Sequence, residues 1–195
     1  MSIKVLILII IIIKFSSAFT VSAFDEKLLL NTIEDNWNKI KTMSGNFIQY
    51  NSDETMSYGK FFLSKPFKSK FIYENNNETI ITTETLIVLL DKEGFRIDSY
   101  PILNSPIKNL LVNEIDFQNM ETNIKINEKN NLYDIYISDL NQKGVAIFSF
   151  NKDGLDLEKW EIIDEFDQST VLEFTKIKKN ISISPETYKV RYKNN

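Results

Sequence analysis

Two groups of carboxylates are the residues whose type and spacing are best suited to chemistry. Asp164, Glu165 and Asp167 stand together in the stretch DEFDQ, and a second acidic group lies at residues 25–35. Paired carboxylates can act as general acid and base or can bind Mg²⁺ or Ca²⁺. Acids exposed on a turn or on a helix face are much more common, and we interpret both groups in that way.

The residue types that are missing narrow the chemistry further. The chain has 0 His and 0 Cys, which removes the commonest general base and metal ligand as well as thiol nucleophiles and disulfides. Its 5 Gly residues form no glycine-rich loop of the kind that binds phosphate. We therefore predict a protein that is not an enzyme and needs neither a metal nor a cofactor.

The first 23 residues have the layout of a secretory signal peptide. A basic start precedes an apolar run of about nine residues, VLILIIIII, and small residues follow. The run is shorter than the about 20 residues of a membrane-spanning helix. We predict cleavage after Ala18 or Ala23, with residues 24–195 as a single domain; an uncleaved anchor is the alternative.

The remainder of the chain is acidic. It keeps 21 basic residues (23 less Lys4 and Lys14) against 27 acidic ones, a net charge of −6. This charge favours solubility and argues against nucleic acid as a partner. Because no Cys is present to carry a lipid anchor, we expect the processed chain to be free in solution.

Aromatic residues are the strongest remaining signal. The stretch GKFFLSKPFKSKFIYE, residues 59–74, places five aromatic rings around the Lys65-Pro66 step. Phe61, Phe62 and Leu63 run together, so both faces of this extended segment are apolar. An ordinary core beneath a helix is one explanation. An apolar ligand cavity is the other, since one helix can cover only part of a curved sheet.

The elements that position these residues follow from the periodicity. Residues 25–43 carry one apolar stripe and predict an amphipathic helix. Strand patterns and turn signals then alternate, which predicts an antiparallel sheet curled into an open or closed barrel. The predicted strands are 46–51, 57–64, 68–74, 78–90 (in one piece or two), 94–100, 115–126, 132–138, 144–150, 157–164 and 169–177.

One segment interrupts the strands. In residues 100–114, YPILNSPIKNLLVNE, two prolines exclude a central strand. Ser105 and Pro106 suit the start of a short helix, which would carry Ile107, Leu110 and Leu111 on one side. We predict that this helix is a lid.

The order of these blocks resembles the LolA-type periplasmic outer-membrane lipoprotein carriers. The similar blocks are MSGNFIQY after the helix, GKFFLSKPFKSKFIYE with its basic-proline corner, PILNSPIKNLLV, and the closing hairpins from IFSFNKDG to the proline-containing end. Each block is weakly specific alone, and the ordered set covers nearly all of the chain after the signal segment.

The resemblance implies a mainly β fold: an unclosed antiparallel half-barrel, with a helical lid over an apolar cavity for acyl chains. It also implies a monomeric periplasmic carrier that accepts acylated lipoproteins from an ATP-driven inner-membrane transporter and delivers them to an outer-membrane receptor. The alternative is a sensor or chaperone of the same fold for lipids or glycolipids of the cell envelope.

On this resemblance we assign the site residues. The cavity wall is predicted at Phe62, Phe71, Tyr73, Ile87 and Leu89, with Phe61 and Leu63 as the alternative to Phe62. The lid is predicted at Ile107, Leu110 and Leu111, and the lid latch or corner at Lys65 and Pro66. The family usually has arginine at the position of Lys65, and lysine keeps the charge but loses the planar fork of donors.

Overall fold

The computed structural model describes residues 23–102, 107–120, 122–139 and 144–191. It has an N-terminal helix α1 (Ala23–Asn38), a short helix α2 (Ile107–Leu111) and a 3-10 helix (Pro185–Tyr188). The strands are β1 (Thr42–Tyr50), β2 (Met56–Ser64), β3 (Lys68–Tyr73), β4 (Thr79–Thr82), β5 (Leu86–Leu90), β6 (Arg96–Pro101), β7 (Thr122–Lys129), β8 (Leu132–Asp139), β9 (Val145–Asn151), β10 (Leu157–Ile163) and β11 (Ser169–Lys179).

All of these strands belong to one antiparallel sheet. Its order is β6-β5-β4-β3-β2-β1-β11-β10-β9-β8-β7. Strands β1–β6 and strands β7–β11 therefore each form a meander, in which consecutive strands are neighbours. Strands β1 and β11 pair in the middle and join the two runs. Strands β6 and β7 are the edges and do not pair with each other, so the sheet is unclosed. The predicted mainly β, unclosed antiparallel fold is confirmed.

The inner face of the sheet packs around α1. Ile33 and Trp37 of the helix are buried together with inner-face residues from both halves of the sheet. The Trp37 ring contacts Phe150 of β9 edge-on, with 6.2 Å between centroids, and it also contacts Lys65 at the end of β2. The sheet therefore curves around the end of the helix.

The outer face of β2–β5 has its own small core. Ile81, Val88, Leu90 and Tyr188 form it. Tyr188 comes from the 3-10 helix, and its hydroxyl lies 2.8 Å from Ser64 Oγ on β2. The C-terminal segment thus covers part of the outer face, away from α1.

Two predicted elements differ from the structure. The helix ends at Asn38 and not at residue 43, because residues 42–45 begin β1, where Met43 is buried in the main core. The strand predicted at 115–126 covers only 122–129 in the structure. Ile115 and Phe117 precede it as buried loop residues, so their apolar character reflected burial and not strand pairing.

Some expectations lie outside the described residues. These are residues 1–22 of the predicted signal peptide, the cleavage site after Ala18, the helix start at Ser105 and Pro106, and the side chain of Ile107. The other predicted cleavage site follows Ala23, the first residue of α1, and cleavage there stays a prediction. In the part of the chain that the structure describes, the helices are too short or too polar to span a bilayer.

Candidate functional site

The short helix α2 covers the inner face of the sheet beside α1. Its Leu110 and Leu111 side chains are 3% and 0% exposed. The helix follows β6, an edge strand that ends at Pro101, a position where a missing backbone donor disturbs no central pairing. The chain can therefore leave the edge of the sheet at this point and turn back over the core.

A small cavity lies directly beneath α2. Its volume is about 10 Å³, which is space for about one water molecule. It is lined by Met43, Phe61, Leu63, Ser69, Phe71, Leu110, Leu111, Leu157, Trp160 and Phe174. The cavity is apolar, and it is nearly filled by the protein's own side chains.

Aromatic rings fill most of this space. Phe61 stacks on Phe71, with 6.1 Å between their centroids, and meets Phe174 edge-on at 5.0 Å. Phe71 in turn meets Phe47 edge-on at 5.4 Å. The sequence left an ordinary core and an apolar ligand cavity as alternatives, and in the structure the aromatic rings pack against one another. A space of this size can take a longer apolar group only if some of the side chains that line it move.

Two hydrogen bonds attach the end of α2 to the rest of the protein. The backbone N–H of Phe67 donates to the Leu111 carbonyl at 2.6 Å. The indole N–H of Trp37 donates to the Leu110 carbonyl at 3.3 Å. Both acceptors belong to the last turn of a short helix, where carbonyls have no partner within the helix. These bonds connect α2 to α1 and to the corner between β2 and β3.

Lys65 lies at that corner, next to Pro66 across a cis peptide bond. Its Nζ donates to the Trp37 carbonyl at 2.7 Å and lies 4.6 Å from the centroid of the Trp37 ring. Burial lowers the pKa of Lys65 to about 7, with a smaller lowering by Lys41 and an opposing rise from Glu114. Lys65 thus contacts Trp37, which in turn donates a hydrogen bond to α2.

The predicted wall residues occupy different places. Phe71 lines the cavity. Tyr73 is buried on the same inner face, where its hydroxyl donates to Gln49 Oε1 at 2.7 Å and burial raises its pKa to about 12. Ile87 is half-buried against the main core, and Leu89 is half-buried. Neither Ile87 nor Leu89 is among the residues that line the cavity.

Phe62 requires a correction. It is half-buried on the outer face and packs against the small core formed with Tyr188. Successive residues of a strand point to opposite faces, so Phe61 and Leu63, the alternative pair, occupy the cavity wall. Three consecutive apolar residues hid this parity, since both faces of β2 are covered.

Sequence reasoning missed the wall residues of the second half of the sheet. Leu157 and Trp160 of β10 line the cavity, as does Phe174 of β11. Leu157 and Trp160 are three residues apart, and a regular strand would place them on opposite faces. The register shift between Leu157 and Lys159 brings both side chains to the cavity. The alternation of Leu172 and Phe174 in β11, both buried, is the signal that could have found this wall.

In the acidic stretch DEFDQ, the Asp164 carboxylate stabilises a turn. Asp164 Oδ1 accepts hydrogen bonds from the backbone N–H groups of Phe166 and Gln168, at 2.8 and 2.9 Å. This is the side-chain bonding of an Asx-type turn. Among the described residues no group of three or more acidic side chains is placed to hold a metal ion.

Comparisons with known proteins agree with this architecture. A family model described as "Outer membrane lipoprotein carrier protein LolA" matches residues 38–191. The matched range includes every strand of the sheet and α2. A comparison with curated protein sequences finds no match.

Solved structures are similar to this chain at low sequence identity. An uncharacterized conserved protein from Thermus thermophilus has a TM-score of 0.53 and 9% identity, covering 87% of this chain and 95% of that one. A putative outer membrane lipoprotein-sorting protein domain from Vibrio parahaemolyticus has a TM-score of 0.46 and 8% identity, with 83% and 94% covered. In the Pseudomonas aeruginosa MucA/MucB complex the TM-score is 0.47 and the identity 10%, with 86% and 61% covered. This chain therefore spans about three fifths of that last protein.

Proposed function

The chain belongs to the LolA family of outer membrane lipoprotein carrier proteins, and on that premise we propose that it carries acylated lipoproteins through the periplasm. In this proposal it accepts them from an ATP-driven transporter of the inner membrane and delivers them to a receptor at the outer membrane. No covalent bond changes in such a transfer, so the chain acts as a binding protein and not as an enzyme.

One observation carries the proposal: an apolar cavity lies beneath a short helix that few polar contacts hold in place. The lining is almost wholly hydrocarbon, so it suits an acyl chain and offers little to a polar ligand. Leu110 and Leu111 form the roof, and the two hydrogen bonds from Phe67 and Trp37 attach it. A roof of this kind can open without disturbing the pairing of the sheet.

Because its own side chains nearly fill the cavity, the protein binds an acyl chain with limited affinity. Burial of an acyl chain contributes about 0.8 kcal/mol per CH₂ group, so a preformed deep pocket would hold lipid too tightly for release. In this protein the acyl chain must first separate rings such as Phe61 and Phe71 from each other and displace α2. That cost offsets part of the binding energy, and a receptor with a slightly better site can then take the lipid.

A release assay tests the proposal. Spheroplasts that carry the transporter are incubated with the purified protein, and labelled lipoproteins are measured in the soluble fraction. We expect a one-to-one complex of lipoprotein and carrier. If no lipoprotein is released while an established carrier works in parallel, the carrier function is refuted. Binding of lipid without release would favour the sensor or chaperone alternative.

Two variants test whether the cavity is the binding site. Phe71→Glu introduces a charge into the apolar wall, and we expect it to abolish lipoprotein uptake. Tyr58→Glu is the matched control, because Tyr58 lies on neighbouring β2 and is 46% exposed. Circular dichroism verifies that both variants fold. Unchanged uptake by folded Phe71→Glu would refute the cavity as the binding site.

A further inference from the structure

The outer face of β1 and β2 carries exposed apolar side chains that take no part in the cavity. Tyr50, Met56 and Tyr58 are 40%, 53% and 46% exposed. Met56 pairs with Tyr50 and Tyr58 pairs with Ile48, and Val171 of β11 pairs with Tyr50 from the other side. Paired residues of neighbouring strands lie on the same face of a sheet. These five residues therefore form one surface, the outer apolar patch.

The outer apolar patch lies on the opposite side of the sheet from the cavity. Phe61 lines the cavity. Tyr58 precedes it by three residues on the same strand, so the two side chains point to opposite faces. Phe62, also on the outer face, packs against the small core that the C-terminal segment covers. That cover leaves Tyr58 exposed to solvent.

A neighbouring loop adds a further exposed ring. Phe166 is 74% exposed and lies in the loop 164–168 between β10 and β11. Ser52 Oγ, in the turn between β1 and β2, donates to Gln168 Oε1 at 3.3 Å, so the loop and the turn are adjacent at the end of the patch. Four of the seven large hydrophobic side chains that are exposed among the described residues thus lie in this region. Such a contiguous group marks an interaction site, whereas single exposed apolar residues do not.

The charged side chains around the patch are mostly acidic. Glu173 pairs with Ile48, and its Oε2 lies 3.5 Å from the Tyr50 hydroxyl oxygen. Glu161 pairs with Val171. The turn and the loop at the end of the patch add further acids, which are Asp53, Glu54, Asp164 and Asp167.

In the described part of the chain two lysines lie near the patch, and each already faces an acid. Lys60 Nζ is 3.3 Å from Glu74 Oε1, and Lys159 pairs with Glu173. The patch is therefore apolar at its centre and negative around it. A second copy of this chain would bring two acidic rims together, and like charges oppose that contact. An anionic lipid surface is disfavoured for the same reason.

We propose that the outer apolar patch binds a basic segment of a partner protein, in which apolar side chains are flanked by lysine or arginine. The apolar side chains of that segment cover Tyr50, Met56 and Tyr58, and its cations pair with the surrounding acids. The contact lies across the sheet from the cavity and from α2. The partner can therefore bind whether or not the cavity holds a lipid.

Three synthetic peptides of equal length test the chemistry of the partner. They share a Leu-Trp-Leu centre and carry lysine, glutamine or glutamate on both flanks, and each is titrated calorimetrically into the purified protein. We expect the lysine peptide to bind about tenfold more tightly than the glutamine peptide, because several exposed charge pairs each add a modest stabilisation. The glutamate peptide should not bind. The preference should shrink between about 0.1 M and about 1 M salt, where the screening length falls from about 10 Å to about 3 Å.

Variants of the patch locate the binding. Met56→Ser removes an exposed apolar side chain, and we expect it to weaken binding of the lysine peptide about fivefold. Glu173→Gln removes one acid and should reduce the preference for lysine over glutamine. Leu28→Ser is the matched control, because Leu28 is 59% exposed but belongs to α1, on the other side of the sheet. It should bind the peptides like wild type, and circular dichroism verifies that all variants fold.

Several outcomes would overturn the inference. Equal binding of the three peptides by wild type is one, and an unchanged affinity of folded Met56→Ser for the lysine peptide is another. A wild-type dimer in sedimentation that Met56→Ser abolishes would mean that a second copy covers the patch. Binding to phosphatidylglycerol vesicles that the same change abolishes would assign the patch to a membrane surface.

This inference and the proposed carrier function can fail separately, because the two sites lie on opposite faces of the sheet. Phe71→Glu alters the cavity wall, so it should keep the preference for the lysine peptide. Met56→Ser should keep lipoprotein uptake. Loss of peptide binding in folded Phe71→Glu would mean that the peptide occupies the cavity, and this result would contradict the assignment to the outer apolar patch.

Discussion

At the scale of single residues, Lys65 connects the corner between β2 and β3 to Trp37 of α1 and, through it, to α2. Its ammonium group binds the Trp37 carbonyl and lies over the same indole ring, and that indole holds α2 through Leu110. An arginine here would present several donors in a fixed plane, whereas lysine presents a compact charge. Lys65 is therefore connected to α2 through Trp37.

The lowered pKa of Lys65 predicts a pH-dependent stability. In the folded protein Lys65 loses its proton at about pH 7, whereas the ordinary value of 10.5 applies after unfolding. Between these values the unfolded chain binds more protons, so the free energy of unfolding rises with pH. Urea unfolding of wild type from about pH 6 to about pH 9 should show this rise above about pH 7.

Two variants isolate the contribution of this lysine. Lys65→Met cannot titrate, and Lys65→Arg stays charged throughout the range. The pH slope of each variant should therefore be smaller than that of wild type by the same amount. An identical slope in wild type and Lys65→Met would show that the lysine does not titrate in this window.

At the scale of elements, close packing of strands depends on glycine at one position of β2. A Cβ built on Gly59 would lie 1.9 Å from the Ile72 carbonyl oxygen and 3.0 Å from the Phe47 ring. Gly59 pairs with Tyr73 of β3 and with Phe47 of β1, so the two neighbouring strands approach it together. The Ile72 carbonyl and the Phe47 ring therefore leave no room for a side chain at this position.

We expect Gly59→Ala to destabilise the fold by about 3 kcal/mol, the upper part of the range for overpacked sites. Backbone atoms of β3 would have to shift, and that shift would separate the Phe47, Phe71 and Tyr73 rings. Gly154→Ala is the control, because its nearest neighbour is a side-chain oxygen of Asn151 at 3.6 Å. Urea unfolding compares them, and equal losses of stability would contradict this account.

The helices and strands also show how much of the fold and of the candidate site could be predicted from the sequence. Turn residues and β-branched patterns located nearly all strands, since local turn chemistry sets their ends. The end of α1 was misplaced because Met43 continues the helical stripe while its burial comes from the sheet. The face of Phe62 was misassigned because the C-terminal segment covers the outer side of β2, a long-range contact that no local pattern reveals. The cavity wall on β10 depends on a register shift in its pairing with β9, and local sequence patterns do not reveal such a shift.

At the scale of the whole molecule, different interactions stabilise the sheet and helix α2. Strands β1 and β11 pair along their length in the middle of the sheet, and removing that pairing would divide the core. Helix α2 rests on apolar contacts and on bonds from Phe67 and Trp37. Local opening draws on the least supported parts of a protein, so loading should open the lid while the sheet remains folded.

A disulfide across the lid tests whether loading requires this motion. The Phe67 backbone nitrogen lies 2.6 Å from the Leu111 carbonyl, which brings the corner and the adjacent Val112 near the separation that a disulfide spans. The chain has 0 Cys, so Phe67→Cys with Val112→Cys has no competing thiol, and thiol titration reports closure. We expect the oxidised double variant to bind no acyl lipid and the reduced form to bind like each single variant. The disulfide restrains only α2. Loss of lipid binding on oxidation alone would therefore mean that the acyl chain enters by displacing α2. Equal binding by the oxidised and reduced forms would mean that the acyl chain enters through an open edge of the sheet.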